Sequence, residues 1–177
     1  MNEAMFKLCI FGDGGVGKTT LINRYMTGAF KNSSSMTIGV DFYLKELKLH
    51  KRTIILQIWD FAGESRFRFL LPSYLLGAFG GIFMYDITRY NSLISIVDWF
   101  EVVKRVIKSE KDQFPIIMVG GKLDLEEKRA VSTEEAIKMF EKQNLRDFIE
   151  CSSKTGQNIN DIFVKIAELM MEKAGII

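Results

Sequence analysis

The sequence of 177 residues predicts an α/β fold, a doubly wound and mostly parallel six-stranded sheet with one antiparallel edge strand. Three observations carry this. Apolar runs of strand length alternate with amphipathic runs of helix length along the chain. One pair of runs, Val40 to Leu49 and Thr53 to Trp59, is separated only by a short polar turn around Lys51-Arg52, so it reads as a hairpin and supplies the antiparallel edge. Between the first apolar run and the first amphipathic run stands Gly12-Asp13-Gly14-Gly15-Val16-Gly17-Lys18-Thr19, a glycine-rich connection from strand to helix.

The elements follow in order. Met5 to Phe11 is the first strand, and the glycine-rich loop with its helix runs from 12 to about 27. Gly28 to Thr37 is small and polar, Asn32, Ser33, Ser34 and Ser35 included, and reads as a mobile loop. After the hairpin, Asp60-Phe61-Ala62-Gly63 ends a strand, and residues 64–78 mix charges with exposed-looking aromatics. Gly80 to Asp86 is a buried strand. Ser92 to Lys108 predicts a helix with Ile94, Val97, Phe100 (or Trp99), Val103 and Ile107 on its apolar face. Pro115 to Val119 is another buried strand. Thr133 to Gln143 is a helix announced by the capping box Ser132-x-x-Glu135. Phe148 to Cys151 is the last strand, and Asn158 to Glu172 closes the chain as a helix on Ile159, Ile162, Phe163, Ile166 and Leu169/Met170. Six strands thus alternate with about five helices in a single domain over 1–177.

Composition narrows the function classes. With 24 basic and 22 acidic residues the net charge is only +2, which argues against an electrostatic nucleic-acid binder. Cys9 and Cys151 have no C-x-x-C spacing and fit two free thiols in a reducing interior. No apolar run reaches the length of a membrane span, and Met1-Asn2-Glu3-Ala4 is neither a signal peptide nor a myristoylation site. The terminal Ala174-Gly175-Ile176-Ile177 offers no cysteine for prenylation. A cytoplasmic protein is the expectation, peripheral to a membrane only through a partner or a missing C-terminal tail. His50, alone in His50-Lys51-Arg52, reads as a turn residue.

The polar breaks all fall at the carboxyl ends of strands, which in a doubly wound sheet converge on one rim where ligands bind. The glycine-rich loop fits phosphate. Backbone N–H groups of Gly14, Gly15, Val16 and Gly17 turn inward as an anion nest, and the new helix aims its positive end at the same place. Lys18 adds a point charge toward the outer phosphates, the Thr19 hydroxyl is placed for Mg²⁺, and Thr20 follows beside them. Thr37 offers a second hydroxyl to the metal and a backbone N–H to a third phosphate, a contact that hydrolysis would release. Asp60 can hold the metal's water shell, and Gly63, lacking a side chain, lets its N–H approach the terminal phosphate. Lys122-x-Asp124 follows a strand end. A carboxylate there pairs with N1–H and the exocyclic amine of guanine and rejects adenine, while the Lys122 stem covers the base. Ser152-Ser153-Lys154 follows the last strand, where a backbone N–H reaches the guanine O6 and Lys154 packs over the ring.

These motifs together resemble the small GTPases of the Ras superfamily over nearly the whole chain, and most closely the Rab branch. The carrying residues are Gly12 to Thr19, Thr37-Ile38-Gly39-Val40-Asp41-Phe42, Trp59-Asp60-Phe61-Ala62-Gly63-Glu64, Arg66-Phe67-Arg68, Tyr85-Asp86-Ile87-Thr88, Lys122-Leu123-Asp124-Leu125 and Cys151-Ser152-Ser153-Lys154-Thr155-Gly156. The resemblance implies the P-loop fold of a small G domain. It also implies a GTP/GDP switch with Mg²⁺, an exchange factor, an activating protein and effectors. It makes Phe30 the aromatic that packs edge-on against guanine. Phe42, Trp59 and Tyr74 match the aromatic triad under Rab effector surfaces, for which plain core packing is the alternative. Lys18, Gly63 and Glu64 become the residues that act on the transferring phosphate.

Two positions depart from the family. Glu64 stands where the family has the glutamine that orients the attacking water, so slow intrinsic hydrolysis is expected. Gly121 stands where the family has the asparagine of N-K-x-D, so weaker affinity with retained guanine preference through Asp124 is expected. No arginine lies between Phe30 and Thr37, and Gly14 leaves room for one supplied by a partner. The competing readings are a GTP-binding scaffold with little hydrolysis, a P-loop kinase of small metabolites and an α/β domain with a decayed site.

Overall fold

Alternation along the strands divides the apolar residues between two cores. In β1 (Glu3–Phe11), Phe6, Leu8 and Ile10 face one side of the sheet, and Cys9 and Phe11 face the other. β4 (Gly80–Asp86) does the same with Ile82 and Met84 against Phe83 and Tyr85. A sheet apolar on both faces needs helices on both. α1 (Lys18–Thr27) and α6 (Ile159–Lys173) cover the first face, where Tyr25 stacks on Phe163 at 3.8 Å. α2 (Leu71–Leu75), α3 (Tyr90–Ile94), α4 (Ile96–Val106) and α5 (Thr133–Lys142) pack on the second, around the buried Trp99. The computed structural model describes residues 3–31, 35–107 and 114–177. Asn32, Ser33 and Ser34 of the predicted loop, the predicted helix end at Lys108, and Met1 and Asn2 lie outside them.

The remaining strands are β2 (Val40–Leu49), β3 (Arg52–Phe61), β5 (Ile116–Gly121) and β6 (Asp147–Glu150). The sheet order is β2-β3-β1-β4-β5-β6. Among the described residues only the β2–β3 pair is antiparallel; β1 pairs in parallel with both β3 and β4, and β4–β5 and β5–β6 are parallel. The chain leaves β1 toward one edge and returns to its other side with β4, so the carboxyl end of β1 is the topological switch point, where an open sheet forms its ligand crevice. The hairpin turns on His50 and Lys51, both at positive φ, the pairing of a two-residue turn that matches strand twist. His50 also lies 2.9 Å from Glu168 on α6.

Two expectations change. The helix predicted from Ser92 begins at Tyr90 and is interrupted at Ser95, whose hydroxyl bonds back to the Ser92 carbonyl at 3.0 Å. Its buried stripe is Leu93, Ile96, Trp99, Phe100 and Val103, whereas Ile94 and Val97 are exposed. Both stripes are apolar, so periodicity alone does not choose between them. The segment 64–78 holds a 3-10 turn at Ser65–Leu70 followed by α2, and Phe69 is its most exposed aromatic. Cys151 lies just past β6; it and Cys9 are free and buried, and burial pushes both thiols up to about 12.

Candidate functional site

The loop after β1 leaves the sheet where it touches β4. A Cβ at Gly12, with φ at 142°, would overlap the Met84 carbonyl, so glycine is the residue that allows the exit. Lys18 opens α1 and is buried; its Nζ donates to the carbonyls of Gly12 at 2.7 Å and Asp13 at 2.9 Å. Burial lowers its pKa to about 8, against the opposing pull of Asp60 and Asp13.

The predicted metal residues come together from three elements. The Thr19 hydroxyl on α1 donates to Asp60 Oδ2 at the end of β3 (2.5 Å) and lies 2.8 Å from the Thr37 hydroxyl. Asp60 is fully buried, and burial raises its pKa to about 6 although Thr19 and Lys18 act to lower it. Among the described residues its Oδ1 has no hydrogen-bond partner. An unpartnered carboxylate oxygen beside two hydroxyls is a donor set for a hard cation that takes its other ligands from elsewhere. Among the described residues, no group of three or more His, Cys, Asp or Glu could hold a metal by itself.

Two adjoining cavities run along the rim and share Gly17, Thr20 and Lys122. The first, about 220 Å³, is lined by Gly14, Gly15, Lys18 and Thr19 of the loop, by Thr37 with Ser35 and Met36, and by Gly63. The second, about 250 Å³, is lined by Val16, Phe30, Met84, Asp124, Leu125, Ser153 and Lys154. A polar, glycine-rich chamber thus opens into one that combines an aromatic ring, apolar walls and one carboxylate. Ser152 does not line either cavity. It is buried, and its hydroxyl donates to Asp124 Oδ1 at 2.7 Å, fixing the carboxylate that faces the second cavity. Its backbone N–H is taken by the Gln157 carbonyl.

Lys122 adopts a left-handed conformation (φ 69°) and sends Nζ to the Gly15 carbonyl at 2.9 Å and to Asp86 Oδ2 at 2.7 Å. Burial alone would raise the Asp86 pKa, but hydrogen bonds from Lys122 and Thr88 outweigh it and hold the carboxyl below its ordinary value. Gly121 is buried on β5, and a Cβ there would overlap the Met84 methyl and lie 3.2 Å from the Val16 carbonyl oxygen. The Met84 side chain therefore fills the space beside Gly121.

Gly63 packs directly on the loop: a Cβ would collide with the backbone of Asp13 and Gly14. Glu64 lines neither cavity; it pairs with Arg66, Nε to Oε2 at 2.8 Å. Arg68 bonds to Asp13 at 3.4 Å and Asp98 at 3.2 Å and lies over the Trp99 ring, while Trp99 Nε1 donates to Asp13 at 3.0 Å. Asp13, Met84, Asp86 and Trp99 thus contribute to the site; the motifs contain Asp13 and Asp86 but assign them no role, and Met84 and Trp99 lie outside them. The one available signal is parity, since alternation on β4 puts Met84 and Asp86 on the same face.

A glycine-rich phosphate loop at the switch point of a doubly wound sheet, with a threonine–aspartate pair behind it, defines a P-loop nucleotide-binding protein. Residues 7–172 match the family described as the Ras family. Ras-related protein Rab-13 of Canis lupus familiaris is 37% identical over 173 residues, 98% of this chain and 83% of that protein. The chain belongs to the Ras family, as a small GTPase close to the Rab proteins. Guanine nucleotide binding and GTP hydrolysis come with that family, as do regulator and effector proteins in general. Among the described residues no helix is long and apolar enough to cross a membrane.

Proposed function

We propose that this chain is a single G domain over residues 1–177 that works as a Mg²⁺-dependent switch of the Rab type, with slow intrinsic hydrolysis and a role in trafficking or signalling. The observation that carries the reading is the meeting of Thr19, Thr37 and Asp60, with one Asp60 oxygen unpartnered among the described residues. These three residues would hold Mg²⁺, which when bound would neutralise phosphate charge. Thr37 sits on the segment between α1 and β2, so its attachment to Thr19 supports a loop that responds to what the site holds. In the first cavity Gly14, Gly15, Gly17, Lys18, Thr20 and Gly63 would receive the phosphates. In the second, Val16, Phe30, Lys122, Asp124, Ser153 and Lys154 would receive the base, with Ser152 orienting Asp124.

The rings of Phe42, Trp59 and Tyr74 form a continuous strip, with centroids 4.7 and 5.1 Å apart, and Phe42 is exposed. Trp59 and Tyr74 are half-buried against the second core, so the strip supports an effector surface through the exposed Phe42 ring that they back. Membrane association would come through a partner or a further C-terminal segment.

Slow hydrolysis follows from Glu64, whose carboxylate is held by Arg66 rather than turned to either cavity. Such an exposed pair is worth only about 0.2–1 kcal/mol, so it breaks readily and Glu64 is free to accept a proton from water. The substitution itself, a carboxylate where the family has glutamine, favours a second reading, a GTP-binding scaffold with almost no turnover. Single-turnover GTP assays on the native protein and Glu64→Gln separate them. The switch predicts slow phosphate release from the native protein and faster release from Glu64→Gln; no release above buffer from the native protein would leave the scaffold. Competition among GTP, ATP and XTP tests the base, and ATP competing as well as GTP would refute the role given to Asp124.

A further inference from the structure

The outward carbonyls of the phosphate loop rest on cations. Lys122 Nζ donates to the Gly15 carbonyl at 2.9 Å, and Arg89 Nη2, from the segment after β4, donates to the neighbouring Gly14 carbonyl at 2.8 Å. Both cations are anchored on one carboxylate. Asp86 Oδ2 lies 2.7 Å from Lys122 Nζ and 3.2 Å from Arg89 Nε, while its Oδ1 accepts from the Thr88 N–H (2.8 Å) and hydroxyl (2.7 Å). Asp86 itself is buried. Two cations and one anion leave one positive charge beside the loop.

We infer that Arg89 is a positioning residue for nucleotide binding: held by Asp86, it strengthens the Gly15 N–H as a phosphate donor by bonding the carbonyl of the same peptide. A hydrogen bond to a peptide carbonyl draws electron density from the attached nitrogen, so the N–H on the far side of that peptide becomes a better donor. Gly15 lines the first cavity, and the guanidinium stands behind the loop without lining the cavity itself. The site receives an arginine from its own chain, by a route other than the loop between Phe30 and Thr37. Its side chain is 46% exposed, so its removal leaves the core intact. The inference rests on the reading that phosphates occupy this loop.

The test uses the full chain loaded with GDP and Mg²⁺. Arg89→Met, Arg89→Gln and Arg89→Lys are compared with the native protein by GDP dissociation rate and by the ³¹P resonance of the bound β-phosphate, with thermal unfolding as a control. The expected result is dissociation up to about fivefold faster from the Met and Gln variants, the size of a 10–30% weakening of a charge-assisted hydrogen bond, with a displaced resonance. Arg89→Lys recovers part of both. Dissociation and resonance unchanged in the two neutral variants would overturn the inference, as would a lower unfolding temperature with neither change. A native protein that binds no GDP would overturn this inference together with the reading beneath it.

Discussion

At the scale of single residues, Gly121 and Met84 behave as one feature. Replacing Gly121 with asparagine, the residue the family carries there, does not simply restore lost hydrogen bonds, because the new Cβ takes space the Met84 methyl occupies. Met84 is almost fully buried, so displacing it strains a well-packed wall. Gly121→Asn alone is therefore expected to weaken or leave unchanged the affinity for GDP, whereas Gly121→Asn in a Met84→Ala background tightens it. The coupling energy of the double-mutant cycle should be about 0.5–3 kcal/mol, the range for residues in contact. Equilibrium titration of GDP against the four proteins measures it, and additive effects would show that the two side chains act independently. Gly63 differs in kind, because backbone atoms of Asp13 and Gly14 meet its Cβ and cannot rotate away.

At the scale of elements, the start of α5 gives a clean prediction. Ser132 accepts from the Glu135 N–H at 3.2 Å and Glu135 accepts from the Ser132 N–H at 2.9 Å, the complete capping box. Ser132→Ala should cost about 1 kcal/mol in urea unfolding, with no change in nucleotide affinity since α5 lies away from both cavities. This cap, the phosphate loop and the strand series were legible in the sequence because each depends on residues a few positions apart. The buried face of α3 and α4 was not. Ile94 and Val97 form a stripe as apolar as Ile96 and Trp99, and the choice is made by packing against the sheet and by the interruption at Ser95. The same limit applies to the candidate site. Asp60 and Asp124 stood out through their motifs, but the bond from Arg89 to Gly14 spans 75 positions and that from Trp99 to Asp13 spans 86. No local pattern encodes such contacts; they exist only once the strand order has brought β4 beside β1.

At the scale of the whole molecule, that adjacency of β1 and β4 ties the site to global stability through Asp86. Its carboxylate ends β4, opposite Gly121 of β5, and balances Lys122 and Arg89, both joined to the phosphate loop. Asp86→Asn removes that charge and leaves two cations facing a neutral amide, which should cost about 1.5–3 kcal/mol at pH 7, the scale of hydrogen bonds to charged groups. The native carboxyl is held below its ordinary value of 3.8, so the folded state binds its proton less readily than the unfolded chain. The resulting stability is fully present above the unfolded value and is lost as pH falls through the lower folded value. The stability gap between native and Asp86→Asn is therefore expected to be constant from pH 7 to about pH 5 and to narrow below about pH 4. Carboxylates common to both proteins, such as Glu126 and Glu135, titrate alike in each and cancel from the difference. Urea unfolding of the two proteins across that range measures the gap. If it stays unchanged into acid, the shape of the side chain rather than its charge holds Lys122 and Arg89 against the loop.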